Sequence, residues 1–358
     1  MEIHQVLVAA AQGDAITNEA LLLRDLLRRS GKSEIFAHHV DPRVPGIIRI
    51  SDYAAETPST RANNLLIYHA SIGQPAVADF LVNAPERMVL RYHNMTPAEM
   101  IAPFDAALGR ALEQGREELA AMSARAVLSI ADSQYNAAEL MDLGFVNVKV
   151  VPLLIDLHAL RHAHSKPRAM SELRVQDGAP LISFVGRVAP NKGHPQLIQA
   201  FHVLKTYHRP DAHMLIVGSA EMAVYRESLM MLIQQLSLPN MAITGAVSLG
   251  NLAGIYRRTD VFLCLSAHEG FCAPLVEAMT FDIPIVAWAA TAVPETVGDA
   301  GILLDEPSPT LAAEAVKMLL DDEGLRRSLV ERGRRRARDF DPEGTGQKLL
   351  SAIREAVA

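Results

Sequence analysis

Two glutamates eight positions apart, Glu269 and Glu277, carry the most pointed chemical signal in this chain. Between them runs Gly270-Phe271-Cys272-Ala273-Pro274-Leu275-Val276, and before them the apolar run Val261-Phe262-Leu263-Cys264-Leu265. That run reads as a buried parallel strand. Pro274 falls where a helix tolerates proline, in its first turn. Glu269 therefore lies in the loop after a strand, and Glu277 about one turn into the next helix. In an open α/β sheet, ligands bind at this end of the strands. The free N–H groups of the helix start attract phosphate, and the two carboxylates accept hydrogen bonds from hydroxyls on either side of it. A diphosphate joined to two sugars has that layout. Paired acids alone are ordinary surface residues; the flanking apolar segments and a basic segment upstream give this spacing its meaning.

The basic segment is Leu181-Ile182-Ser183-Phe184-Val185-Gly186-Arg187-Val188-Ala189-Pro190-Asn191-Lys192-Gly193-His194. An apolar strand again runs into a glycine turn, and a helix is predicted from about Pro195 to Tyr207. Arg187 and Lys192 become two cations on one strand-to-helix loop. A leaving diphosphate gains negative charge as a glycosidic bond breaks, and placed cations stabilise that charge more in the transition state than in the ground state. Arg offers a planar fork and Lys a point charge.

The elements that must position these groups alternate between strand and helix patterns, which implies parallel sheets. In the first half, strands are predicted at Val6 to Ala10, Leu65 to Tyr68, Val89 to Tyr92, Val127 to Ile130 and Val148 to Val150. Helices are predicted over Thr17 to Arg29, Pro103 to Ser123 and Gln134 to Leu143. In the second half, strands are predicted at Leu181 to Val185, Met214 to Val217, Val261 to Leu265, Ile283 to Ala287 and Gly301 to Leu304. A last helix spans about Gly344 to Val357. The polar tract from Asp156 to Pro180 reads as a linker with a short helix.

At this point the chain resembles a family. Gly186-Arg187, then Lys192-Gly193, then Glu269-x7-Glu277 resemble the retaining nucleotide-sugar glycosyltransferases of family GT4, glycosyl transferases group 1, with the GT-B fold. Thr244-Gly245-Ala246-Val247-Ser248 with Leu252, Tyr256 and Asp260 resembles the segment those enzymes use beside the base. Val150 to Asp156 resembles their interdomain crossover, and Met88 to Asn94 the strand and loop carrying an N-domain histidine. The resemblance implies an α/β, GT-B chain: two Rossmann-like, doubly wound parallel-sheet domains facing a central cleft. Residues 1–155 would form an acceptor-binding domain, 156–180 a linker and 181–340 the nucleotide-sugar domain, with helix 343–358 packing back on the first.

The implied roles follow position by position. Arg187 and Lys192, on the loop of Gly186, would hold the donor diphosphate. Glu269 would face the donor sugar hydroxyls, with backbone N–H groups near Phe271 and Cys272. Glu277 would accept from the ribose, Val247 would lie beside the base, and His93 would help position the sugar. Gly13 would let the first strand-to-helix loop approach the phosphate. No divalent metal or cofactor is implied, since the cations and the helix dipole replace it. The departures are a first loop with only Gly13, followed by Asp14, and Cys272 and Asp282 at positions usually glycine.

Composition agrees with this reading. A chain of 358 residues suggests two domains, and 49% apolar residues can bury two sheets. Aromatics at 5% and a net charge of −7 argue against nucleic-acid partners. The basic run Arg332-Gly333-Arg334-Arg335-Arg336-Ala337-Arg338 ends a helical pattern from about Glu323, where cations suit the helix dipole. Cys264 and Cys272 lie in apolar segments and read as buried thiols. Neither a signal peptide nor a run of ~20 apolar residues is visible, so the expected location is cytoplasmic, with peripheral membrane contact left open.

Other constellations are weaker. His158 and His162, with His164 and Asp156, lack the converging ligands of a zinc site. His38-His39 reads as structural. Asp339-x-Asp341 reads as a cap and turn. No Gly-x-Ser-x-Gly elbow and no Gly-x-Gly-x-x-Gly loop after the first strand are present, so a serine hydrolase and a nicotinamide enzyme lack their anchors.

The expected function is retaining transfer of a hexosyl group from a nucleotide diphosphate sugar, of GDP-mannose or UDP-glucose type, to a hydroxyl on a saccharide or lipid-linked acceptor, in polysaccharide or glycoconjugate synthesis. Two alternatives stay open: a nucleotide-sugar epimerase or disaccharide synthase of the same fold, and a non-catalytic sugar-nucleotide-binding subunit.

Overall fold

A computed structural model describes residues 1–57, 63–165, 171, 173, 175–176 and 178–357. Much of the tract expected as the linker lies outside these residues. The chain divides into two compact units. One holds Met1–Ala102, Ala106–Ile155 and Phe340–Ala358; the other holds Pro103–Asp105 and Asp156–Asp339.

The first unit is built on strands β1 (Ile3–Ala10), β2 (Ile35–Val40), β3 (Ile47–Arg49), β4 (Leu65–Ala70), β5 (Arg87–Tyr92), β6 (Ala126–Ala131) and β7 (Val148–Val150). They form a parallel sheet in the order β3-β2-β1-β4-β5-β6-β7. The order reverses at β1, which makes the sheet doubly wound. Its central strands are buried nearly throughout, hence their continuous apolar runs. One face packs Leu66, Tyr68, Leu90 and Tyr92 against Leu81 and Leu119. On the other, Ile67, Val89 and Ile130 meet Leu349, Ala352 and Ile353 of the terminal helix Pro342–Val357.

The second unit has strands β8 (Leu181–Val185), β9 (His213–Val217), β10 (Met241–Ile243), β11 (Val261–Cys264), β12 (Ile285–Trp288) and β13 (Gly301–Leu304), parallel and in the order β10-β9-β8-β11-β12-β13. One large core wraps this sheet, from Phe184 and Phe201 to Val286 and Leu319. Each unit is thus Rossmann-like, and together they define the GT-B fold class.

The elements differ from the sequence reading where periodicity is weakest. The helix expected from Pro103 to Ser123 is the shorter Ala106–Ala121, and a separate turn of helix, Ala98–Ile101, precedes Pro103. Pro103 removes an N–H and disfavours helical geometry before it. The internal strand β2, the short edge strands β3 and β10 and the helix Pro75–Asn83 had no assigned range. The basic run does end a helix, Glu323–Ala337. Its arginines are largely engaged: Arg334 makes two 2.7 Å bonds to Asp282, and Arg336 binds Asp339, Glu295 O and Thr296 O. Among the described residues, no helix is long and apolar enough to cross a membrane.

The terminal helix contributes side chains to the core of the first unit, so Leu349→Ala should destabilise that unit by about 2–4 kcal/mol. Denaturant unfolding followed by circular dichroism checks this; an unshifted midpoint would contradict it.

Candidate active site

The loops at the carboxyl ends of β8, β9, β10 and β11 converge. Gly186 N donates to Val217 O at 2.9 Å and Gly218 N to Gly245 O at 3.1 Å. Side chains would block this approach: a Cβ on Gly218 would sit 1.9 Å from Gly186 O, and one on Gly193 would sit 2.0 Å from Leu265 O. Gly193 also has φ +66°. Val247 lies on the loop after β10, half-buried and packed against Leu181, Leu215 and Ile255.

Asn191 joins the β8 and β11 loops. Its carbonyl accepts from Ala267 N at 2.8 Å and His268 N at 3.3 Å, and its Nδ2 donates to His268 O at 3.1 Å. The side chain is buried at 5% exposure, so these bonds are shielded from water. The consequence is local: Lys192 Nζ lies 2.7 Å from Glu269 Oε2, although the residues are 77 positions apart. Glu269 itself is gripped by Thr291, whose Oγ1 accepts from Glu269 N and donates to Glu269 O, both at 2.9 Å. Thr291 adopts φ +50°, an outlier for a β-branched residue. Thr296 Oγ1 donates to Phe271 O at 2.5 Å. The backbone from Glu269 to Phe271 is therefore fixed at both ends.

Cys272 follows in the left-handed region, φ +70°, and caps the helix Ala273–Thr280, with Pro274 in its first turn. Glu277 lies in that helix, half-buried, and accepts from Tyr256 Oη at 2.6 Å. Burial raises its carboxyl above the usual range, partly offset by that bond, and pushes the Tyr256 phenol well up. Arg187 is exposed and has no carboxylate partner among the described residues.

Gly13 and His93 lie in the other unit. Gly13 has φ +79° with open space around a hypothetical Cβ, so conformation rather than close approach requires glycine there. Asp14 caps the helix Ala15–Leu27, accepting from Thr17 N at 2.9 Å and Thr17 Oγ1 at 3.0 Å. His93 is held on both sides: Nδ1 is 2.9 Å from Asp132 Oδ2, and Nε2 is 2.9 Å from His69 Nδ1. His69 Nε2 in turn meets Gln5 Oε1 at 2.9 Å, and Gln5 Nε2 donates to Ala20 O at 2.9 Å. The Gln5 amide fixes the direction of the whole chain. His69 Nε2–H donates to Gln5 Oε1, and His69 Nδ1 is left to accept from His93 Nε2–H.

Arg91 is fully buried beside this chain. It binds Glu19 through Nε at 3.1 Å and Nη2 at 2.7 Å, pairs with Asp132 at 2.7 Å, and donates to Val151 O at 2.8 Å and Pro152 O at 3.0 Å. Leu154 N donates to Glu19 Oε1 at 2.8 Å. Burial raises the Glu19 carboxyl, but the charges of Arg91, His93 and His69 overcome this and hold it at about 2. Burial pushes His69 down to about 3.

The structure thus brings Lys192, Glu269, Phe271 and Cys272 together, with Gly186, Val247 and Glu277 on neighbouring loops and the following helix of the same unit. Asn191, Thr291, Glu19, Arg91 and Asp132 had no assigned role. Asn191 stands within the basic segment, and its neighbourhood was the available signal. Thr291 gives none, since nothing in Ala289-Ala290-Thr291-Ala292 announces a left-handed residue. His158 and His162 stack at 4.1 Å in the helix Leu157–His162, and His162 Nδ1 donates to His158 O at 2.9 Å. Asp341 accepts from Gly344 N at 2.9 Å, the expected cap.

The two parallel-sheet units, with converging glycine-bordered loops beside a helix start, define the GT-B class. Solved structures agree. Sucrose-phosphate synthase from Thermosynechococcus elongatus superposes with TM-score 0.78 at 18% identity, covering 99% of this chain and 98% of that one. Anabaena HepE in complex with UDP-glucose gives TM-score 0.76 at 17% identity, covering 99% and 100%. Residues 165–336 match the family model described as glycosyl transferases group 1. Among curated proteins, the D-inositol 3-phosphate glycosyltransferase of Kineococcus radiotolerans is 28% identical over 247 residues, 64% of this chain and 57% of that protein. The chain spans about half the length of the curated relatives it matches.

Two predictions follow from the geometry. Thr291→Val keeps the shape but leaves Glu269 N–H without its partner and removes the shorter of two bonds to Glu269 O, which should cost about 1–3 kcal/mol; thermal unfolding of the variant measures it. The second concerns pH. His69, and His194 pushed down to about 3 by burial, each have a folded pKa below the ordinary 6.5. The unfolded chain therefore binds more protons between those values, and stability is lost as pH falls below about 6.5. Glu19, at about 2 against an ordinary 4.5, adds a loss below about 4.5. Thermal midpoints should accordingly be flat just above pH 7 and decline steadily below 6.5. A midpoint unchanged between pH 7 and 5 would refute the histidine contribution.

Proposed function

We propose that the chain is a retaining glycosyltransferase that moves a hexosyl group from a nucleotide diphosphate sugar to a hydroxyl acceptor. The carrying observation is the prepaired Lys192–Glu269 contact on two stitched loops, beside the start of a helix that also holds Glu277. On this reading the diphosphate takes Lys192 from Glu269, and Arg187 adds a second, solvent-facing cation. The released Glu269 carboxylate accepts from donor sugar hydroxyls. Glu277, oriented by Tyr256, accepts from the ribose, and Val247 borders the base. The protein has to stabilise charge growing on the leaving diphosphate, and a cation already placed in a shielded setting does so without reorganising.

The proposed route is front-face attack, in which the departing phosphate oxygen takes the acceptor proton. The C1–O bond to phosphate breaks as the bond from acceptor oxygen to C1 forms on the same face. No protein nucleophile and no divalent metal is part of this scheme. A UDP-sugar donor is supported by the HepE complex with UDP-glucose at the level of fold, and a GDP-mannose type donor is the other candidate. The kinship with a D-inositol 3-phosphate glycosyltransferase supports a polyhydroxylated acceptor.

Titration calorimetry with UDP, GDP and ADP in EDTA tests the reading, and one of them should bind. No binding by any would overturn it. Lys192→Ala should lower kcat about 10²–10³-fold, and Glu277→Gln should weaken nucleotide affinity about 10-fold, the worth of one charged hydrogen bond. Rates within a few-fold of wild type would contradict both roles. Product analysis separates transfer from its relatives: an epimer formed without acceptor would identify an epimerase.

A further inference from the structure

Cys264, at the end of β11, and Cys272, at the head of the following helix, point at one another across the loop that carries Glu269. Their sulfurs are 3.9 Å apart. One ligand atom from each of Cys264, Glu269 and Cys272 lies within 4.8 Å of the others, and all three residues are buried. Two sulfurs bound at ~2.3 Å to one tetrahedral cation stand about 3.8 Å apart. The observed spacing fits that edge. The loop is also rigid, since Thr291 and Thr296 fix its backbone and Cys272 is locked at φ +70°.

We propose that Cys264, Cys272 and Glu269 form a binding site for a thiophilic divalent cation such as Zn²⁺ or Cd²⁺, and that filling it antagonises nucleotide-sugar binding. Soft thiolates select such metals over Mg²⁺. The two thiols ionise on binding, so two protons leave for solvent with each cation. The carboxylate of Glu269 then turns from Lys192 to the metal, and the fourth position is left to water or an external thiol. The second half of the proposal rests on the functional reading above; the first does not. The comparable group Glu19, His69 and His93 offers no thiolate, and Arg91 grips Glu19 by two hydrogen bonds where Lys192 holds Glu269 by one.

The test is titration of Cd²⁺ into the reduced full chain, followed by its ultraviolet thiolate-to-metal absorption. Because surface histidines give no such band, only the cysteine site is read. One equivalent should saturate the band, and calorimetry in buffers of different ionisation enthalpy should report two protons released. Cys272→Gly, which suits the left-handed backbone, should abolish one-equivalent saturation. Glu269→Gln should weaken it at least about 10-fold. Absence of the band in the wild type, or its persistence in Cys272→Gly, overturns the site. Where UDP or GDP binds, one equivalent of Cd²⁺ should raise its apparent Kd about 10-fold or more; unchanged affinity refutes the antagonism while leaving the site. Failure of every nucleotide to bind would strike the functional reading and leave the metal site standing.

Discussion

The second unit depends on one uncharged residue, acting through both its backbone carbonyl and its side chain. Asn191 binds the β8 loop to the β11 loop through three hydrogen bonds, and so decides where Lys192 and Glu269 meet. Without that link, a flexible ammonium would be solvated and its position averaged over many rotamers. With it, the cation is held partly out of water beside a carboxylate that is 8% exposed. A half-buried ion pair of this kind contributes little net stability, because desolvation offsets attraction. Its value under the proposed function is positional: the carboxylate keeps the site's cation in place until a stronger anion replaces it.

The departures from the family pattern become intelligible at the same scale. Cys272 and Asp282 stand where glycine is usual, and both have positive φ, +70° and +60°. The backbone demand persists while the side chain changes. At Asp282 the cost is offset by two 2.7 Å bonds to Arg334, and aspartate tolerates the left-handed region. Asp14 replaces a glycine and serves as a helix cap instead. Cys272 has no such local use, and its sulfur faces Cys264. A substitution that keeps an unfavourable φ without a structural return is where a second function is most reasonably sought.

Much of this was legible beforehand. Buried parallel strands such as β8, β11 and β13 announce themselves as apolar runs, and the glycines and prolines bounding them place the loops. The pairing of Lys192 with Glu269 was not legible, because it depends on strand order: β8 and β11 are neighbours in the sheet though two strands intervene in sequence. Short edge strands such as β3 and β10 escaped because three residues carry too little period. Arg91 escaped for another reason. An arginine inside Met88-Val89-Leu90-Arg91-Tyr92 looks like an outward-facing strand residue, and only the fold reveals carboxylates on both sides of it.

That arginine shows the opposite solution to the same electrostatic problem. In the first unit, Glu19 and Asp132 face Arg91 within a buried cluster that also holds His93. The carboxylates pair with the guanidinium, and the surrounding carbonyls of Val151 and Pro152 accept from its other donors. Such a cluster has nothing left over to attract a diphosphate. It acts as a fixed frame, tying β5 to the segment that leaves β7. In the second unit the account is left unbalanced on purpose of geometry: Lys192 has one partner, and exposed Arg187 has no carboxylate among the described residues. Arg187 is thus a cation on the β8 loop that no described carboxylate pairs with, in the same unit as the helix start at Ala273. A closed charge cluster fixes structure, whereas an open one attracts an anion; this asymmetry is the physical reason to place donor binding in the second unit.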